Sequence, residues 1–227
     1  MLKKWDEIPA YMKNETVKEY YDILEKKKVS LFFKRVFDII VSLFMIIILS
    51  PVLILISIII KLDSKGSVLY RQERVTQYGK KFRVCKFRTM VANADKIGTH
   101  VTVDSDPRIT RVGSKIRDLR IDELPQLFNV LAGTMTFVGT RPEATKYVKS
   151  YTPEMMATLL LPAGVTSEAS IMFKDESEML KHVTDVDKEY VEKVLPKKMK
   201  YNLFSIKNFS FFNDIKIMFK TVVAVLR

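Results

Sequence analysis

Cysteine, histidine, glycine and acid are all scarce in this chain. One cysteine, Cys85, among 227 residues excludes an internal disulfide framework and fits a reducing compartment. Two histidines, His100 and His182, argue against a His-rich metal site and against a Ser-His-Asp triad. The 7 glycines are scattered and form neither GxGxxG nor a GxxxxGKS/T loop, so no glycine-rich phosphate cradle is expected. Neither internal repeats nor low-complexity linkers occur. Acid is outnumbered: 26 Asp+Glu against 38 Lys+Arg leaves a formal charge of +12. Such a surplus attracts phosphates, anionic headgroups or nucleic acid. No zinc finger, recognition-helix signature or aromatic-rich binding motif accompanies it, so nucleic acid is not the expected partner.

Long apolar sequence is what the chain does have. Residues 39–60 hold 18 apolar residues in 22 and no charge. As a helix this run would extend about 33 Å, enough to cross a ~30 Å hydrocarbon layer. It begins too late to be a secretory signal. Two features argue against a simple span. Ser50-Pro51 divides it into arms of about 14–16 Å, and proline is expected to kink or break a helix. The flanks are also balanced: Lys26, Lys27, Lys28, Lys34 and Arg35 precede it, and Lys61, Lys65, Arg71 and Arg74 follow it. With no asymmetry under the positive-inside rule, both ends favour the cytoplasm. The expectation is a helical hairpin that enters the membrane, breaks at Ser50-Pro51 and returns.

The remainder reads as a mixed α/β domain. Val17, Tyr20, Tyr21 and Leu24 form an apolar stripe on a helix that Asn14 can cap, lying on the membrane or on the domain. Residues 67–72 and 81–87 alternate as strands around a turn at Gln77-Tyr78-Gly79. A long polar loop is expected over 91–110, helices over 111–119 and 123–131, and a strand over 134–138. Further helices are expected over 142–150 and 153–160, and an apolar-faced interfacial helix over 211–226. The organisation is thus an amphipathic lead-in (1–33), a re-entrant membrane helix (34–62) and a domain with membrane-interface helices (63–227).

Between Arg71 and Arg141 stand 14 basic and 7 acidic residues. The basic residues fall in short-spaced sets: Lys86 with Arg88, Arg108 with Arg111, Arg117 with Arg120, and Arg141. Several guanidinium forks together can hold a diphosphate. Within this stretch lies Ile121-Asp122-Glu123-Leu124-Pro125-Gln126. Asp122 could simply cap a helix, with Pro125 in its first turn. Alternatively, an ionised Asp122 can attack phosphorus and form an acyl phosphate. Glu123 beside it could bind Mg²⁺, which takes one or two carboxylates plus phosphate oxygens.

These motifs, in this order, resemble the bacterial sugar transferases, monotopic phosphoglycosyl transferases that begin glycan assembly on a polyprenyl phosphate. The resemblance is carried by Lys34-Arg35-Val36-Phe37-Asp38, Ser50-Pro51 and Lys86-Phe87-Arg88-Thr89-Met90. It continues through residues 106–113, Asp122-Glu123-Leu124-Pro125-Gln126-Leu127, Asn129-Val130-Leu131 and Gly139-Thr140-Arg141-Pro142. It implies transfer of a phosphosugar from a UDP-sugar to undecaprenyl phosphate, with UMP released and Mg²⁺ as cofactor, at the cytoplasmic face of the bacterial inner membrane. It further implies Asp122 as nucleophile, Glu123 as its acidic partner (both near Mg²⁺), Arg117 near phosphate, and Ser50-Pro51 as the re-entrant break. Pro142 belongs to the same pattern and joins Lys86, Arg88, Arg108, Arg111, Arg117 and Arg141 as a substrate-binding candidate. Two places depart from the family pattern. Thr140 stands where proline is usual, and Ala163-Gly164-Val165-Thr166-Ser167 replaces PGITG with Pro162 upstream; both bear on the donor pocket. Two rival readings would be a glycosyltransferase releasing UDP and a non-catalytic, membrane-anchored basic binding protein.

Overall fold

The computed structural model describes residues 2–94, 106–179, 183 and 185–226. Most of the loop expected over 91–110, and both histidines, lie outside the described residues.

The lead-in belongs to the domain. After short 3-10 turns at Trp5–Glu7 and Ala10–Met12 comes α1 (Glu15–Glu25), started by Asn14, whose side-chain oxygen accepts from the Val17 N–H at 2.9 Å. The expected stripe of Val17, Tyr20, Tyr21 and Leu24 is fully buried, together with Ile8 and Met12. Burial of such side chains contributes roughly 1.5–3 kcal/mol each. They share a core with Leu159, Leu160, Leu195 and Met199.

α2 (Lys28–Asp63) is a single 36-residue helix, about 54 Å long at ~1.5 Å per residue. This corrects the two arms expected from Ser50-Pro51. Proline removes the donor that would reach the carbonyl of Ile47, four residues back. The Ser50 hydroxyl donates to that same carbonyl at 2.8 Å. The pair therefore satisfies the acceptor that it orphans, and helix continues through it. One stripe of α2 is packed along its length: Leu31, Lys34, Asp38, Ser42, Leu53, Ile56 and Ile60 are buried, with Met45, Ile46 and Leu49 half-buried between. The 3–4-residue spacing is that of one helix face. The opposite face exposes Phe32, Ile40, Phe44, Ile47, Ile54, Ile58 and Leu62.

The charged motif at residues 34–38 docks α2. Lys34 Nζ donates to Val138 O (2.8 Å) and pairs with Asp214 (2.5 Å). Arg35 donates to Val130 O (2.7 Å) and Leu131 O (2.8 Å). These are the last carbonyls of α4 (Gln126–Leu131), where a cation is favoured. Asp38 accepts from the Thr136 hydroxyl (2.6 Å) and the Phe137 N–H (3.2 Å).

Two small sheets complete the frame. β1 (Leu69–Val75) and β2 (Lys81–Phe87) pair antiparallel, with Tyr70 opposite Lys86, Gln72 opposite Val84 and Arg74 opposite Phe82. α3 (Arg111–Asp118) follows; β3 (Met135–Val138) pairs in parallel with β4 (Ala163–Thr166). Between and after them lie α5 (Thr145–Val148), α6 (Glu168–Met172), α7 (Glu176–Met179), α8 (Val186–Glu189), α9 (Leu195–Lys207) and α10 (Phe211–Leu226). The last of these matches the helix expected over 211–226 in its bounds.

Candidate active site

Asp122 and Glu123 lie in a 3-10 turn, Ile121–Glu123, between α3 and α4. Arg120 is left-handed (φ 54°), an uncommon conformation for a residue with a side chain, and reverses the chain after α3. Ile121 and Leu124 on either side of the carboxylates pack with Leu53, Ile56 and Ile60 of α2. The two acids are thereby held beside the C-terminal half of the long apolar helix. Asn129 ties α4 to β2: its Oδ1 accepts from the Cys85 N–H at 2.8 Å, and its Nδ2 donates to Arg83 O at 2.9 Å. That link sets the separation between the acids and Lys86.

The neighbouring carboxylates have opposite surroundings. Glu123 Oε1 accepts from Lys86 Nζ at 2.6 Å and Arg141 Nη2 at 2.9 Å. Burial pushes its carboxyl up, but the two cations outweigh burial and hold it well below the ordinary carboxylate range. Asp122 makes no hydrogen bond or ion pair among the described residues, and no cap: α4 is preceded by Pro125 without a side-chain cap. Burial, with a contribution from Glu123, pushes the Asp122 carboxyl above its usual value against the pull of Lys86, Arg117 and Arg141. One acid is neutralised in place; the other is unspent.

Two cavities adjoin here. One of about 680 Å³ reaches from Arg117 and Lys86 past Arg141 and Pro142 to Tyr147 and Tyr190. The other, about 420 Å³, contains Asp122, Arg117 and Lys86 and extends along Leu69, Phe87 and Met90. The sequence candidates are thus divided. Lys86, Arg117, Asp122, Glu123, Arg141 and Pro142 come together, whereas Arg88 and Arg108 also line the smaller cavity but are engaged elsewhere. Arg88 is only 7% exposed and donates to Ser64 O (2.7 Å) and Lys65 O (2.9 Å), closing the C-terminal end of α2. Arg108 clamps Asp106 through Nε and Nη2, holding the acid at a pKa of about 2, and reaches Ala94 O. Arg111 is exposed at the start of α3 and lines neither cavity.

Sequence reasoning missed Arg74, Tyr147, Tyr190 and Lys198 on the larger cavity. Lys198 pairs with Glu143 (3.4 Å) and Glu176 (2.8 Å), and the Tyr190 hydroxyl donates to Glu143 at 2.6 Å. A strand expected to stop at residue 72 leaves Arg74 outside the alternation that would have placed it with Lys86.

For a divalent metal, no group of three or more acidic, histidine or cysteine side chains assembles among the described residues. Asp122 and the second oxygen of Glu123 still suit Mg²⁺, which typically takes one or two carboxylates and completes its shell with phosphate and water.

A family model described as bacterial sugar transferase matches residues 29–227. The chain belongs to the bacterial sugar transferase family. Among curated members, a UDP-N-acetylgalactosamine-undecaprenyl-phosphate N-acetylgalactosaminephosphotransferase of Aeromonas hydrophila is 36% identical over 198 residues, covering 86% of this chain and 44% of that protein. A UDP-glucose:undecaprenyl-phosphate glucose-1-phosphate transferase of Klebsiella pneumoniae is 36% identical over 200 residues, covering 86% and 40%. This sugar transferase chain therefore spans less than half the length of those two relatives. It spans 94% of the exopolysaccharide production protein PSS of Rhizobium leguminosarum bv. phaseoli, with 36% identity over 200 residues and 85% of this chain covered.

Both departures from the family pattern fall in one place. The Gly139 N–H donates to Thr166 O (2.9 Å) and the Gly164 N–H to Thr140 O (2.8 Å). A side chain at Gly164 would begin 2.2 Å from Gly139 N, so the two segments cross in contact. Thr140 and the 163–167 segment are a single packed unit beneath Arg141.

Proposed function

We propose that this family member transfers a phosphosugar from a UDP-sugar to undecaprenyl phosphate and releases UMP, as the membrane step that initiates bacterial glycan assembly. The observation carrying this reading is the unspent carboxylate of Asp122, set in a basic cavity beside an acid that two cations have already neutralised. The activities for which the A. hydrophila and K. pneumoniae relatives are named point the same way.

Asp122 attacks the β-phosphorus of the donor, and the bond from that phosphorus to the bridging oxygen breaks. UMP leaves with the electron pair, and the phosphosugar remains on Asp122 as an acyl phosphate. An oxygen of the lipid phosphate then attacks the same phosphorus and frees the carboxylate, giving a polyprenyl diphosphate sugar. Arg117 and Arg141 orient the phosphates, while Lys86 and Arg141 keep Glu123 fixed. Mg²⁺, held by Asp122 and Glu123, would neutralise diphosphate charge.

The membrane reading assigns the exposed apolar face of α2 and α10 to the inner leaflet of the inner membrane, with the domain in the cytoplasm. The packed stripe from Leu31 to Ile60 supports same-sided ends, because a spanning α2 would have to abandon it. Same-sided ends then follow from packing of the continuous α2 along the domain, without the broken, re-entrant hairpin expected from Ser50-Pro51.

The test is incubation of the purified protein with UDP-sugars, Mg²⁺ and a polyprenyl phosphate, followed by identification of the nucleotide. UMP is expected. UDP would replace this reading with simple glycosyl transfer, and no turnover with any donor would favour a binding protein.

A further inference from the structure

Most of the basic side chains around the two cavities already have a partner. Lys86 and Arg141 share Glu123, Lys198 holds Glu143 and Glu176, Arg88 closes α2, and Arg108 clamps Asp106. Two guanidinium groups that line both cavities have no carboxylate partner among the described residues: Arg117 and Arg74. Among the described residues, the Arg74 side chain donates to the neutral side chain of Gln72, at 2.8 Å. The β1–β2 register explains its position. Tyr70, Gln72 and Arg74 are opposite Lys86, Val84 and Phe82, and opposed residues of an antiparallel pair project to one face. Arg74 therefore shares the sheet face of Lys86, the residue bound to Glu123.

We propose that Arg74 is a donor-binding residue that, with Arg117, seats the diphosphate where the two cavities meet. The assignment rests on the UDP-sugar reading above. A guanidinium left without a counter-ion in a half-buried wall is stabilised by an arriving anion, and its fork can engage two phosphate oxygens. Burial and the nearby Arg141 charge weaken the hold of Arg74 on its proton, while Glu143 acts the other way. Glu143 is itself occupied by Tyr190 and Lys198. A diphosphate would supply the missing negative charge between Arg74 and Arg117, while Asp122 stays clear on the smaller cavity.

The test uses the full chain in detergent and titrates inorganic diphosphate calorimetrically, alongside steady-state kinetics with a UDP-sugar. Arg74→Gln should weaken diphosphate binding about tenfold or more, the loss expected for a charge-assisted contact, and raise KM for the donor more than it lowers kcat. Arg74→Lys should fall between, since it keeps the charge and loses the fork. Arg83→Gln, at an exposed position lining neither cavity, should match the wild type. Thermal unfolding establishes that each variant folds; if Arg74→Gln does not, wild-type binding by Arg74→Lys overturns the proposal. Wild-type diphosphate affinity in Arg74→Gln, or no binding by the wild type, also overturns it. Weakened binding in Arg74→Gln without UMP release by the wild type would retain the seat and sink the transferase reading. UMP release with undiminished binding in Arg74→Gln would do the reverse.

Discussion

At the scale of single residues, the adjacent acids should respond oppositely to loss of charge. Asp122→Asn should abolish UMP release. It should leave thermal stability unchanged or slightly higher, because the side chain makes no structural bond and its charged form is disfavoured by burial. Measurable turnover, or a clear drop in Tm, would identify Asp122 as a structural residue. Glu123→Gln leaves Lys86 and Arg141 without a counter-charge and should cost about 1.5–3 kcal/mol in unfolding free energy as well as activity. Stability equal to the wild type in chemical denaturation would contradict that pairing. The pH dependences follow by sign. Glu123 has a depressed folded pKa, so its contribution is complete above the ordinary carboxylate value of about 4.3 and is lost as pH falls below it. Asp122 is raised, so protonation should silence the nucleophile at a higher pH than for an ordinary aspartate of about 3.9. An acid limb of kcat/KM below that value would refute the assignment.

At the scale of elements, α2 decides topology. If a broken hairpin set it, restoring continuity with Ser50→Ala plus Pro51→Ala would drive the N-terminus across the membrane. Since α2 is already continuous and its stripe grips the domain, the double variant should keep both ends on one side. A reporter cysteine in the lead-in, with Cys85 replaced, should resist a membrane-impermeant thiol reagent in intact cells, with or without the double substitution. Labelling from outside would show that α2 spans. Asp38→Ala should loosen the same element from β3, costing about 1–3 kcal/mol for the buried partners it abandons. An unchanged denaturation midpoint would remove Asp38 from that role.

For the whole molecule, charge and apolar surface should act on the bilayer proposed as partner with different salt responses. Exposed Phe44, Ile47, Ile54 and Leu55 on α2 and Phe212, Phe219, Val222 and Val223 on α10 offer hydrocarbon contact, while the +12 charge favours anionic headgroups. Flotation with liposomes should therefore persist at about 1 M salt, where the Debye length is only ~3 Å, and strengthen with anionic lipid at low salt. Complete release by salt alone would reduce the association to electrostatics.

Local rules made several elements legible in the sequence. The α1 stripe and its Asn14 cap, the β2 strand, the α10 helix and the adjacent acids Asp122 and Glu123 within a basic stretch were available from periodicity, capping and charge spacing. These signals act within a few residues and do not depend on distant partners. Tertiary structure decided the rest. Whether Ser50-Pro51 breaks a helix depends on a carbonyl's hydrogen bond and on a stripe of contacts extending over 30 residues. Whether an arginine is spent depends on what folds beside it: Arg88 and Arg108 looked no different from Arg117 until the end of α2 and Asp106 claimed them, and Arg74 emerged only from strand register. A sequence lists the charges in a site, but only three-dimensional packing determines which of them are already neutralised and which are left to meet a substrate.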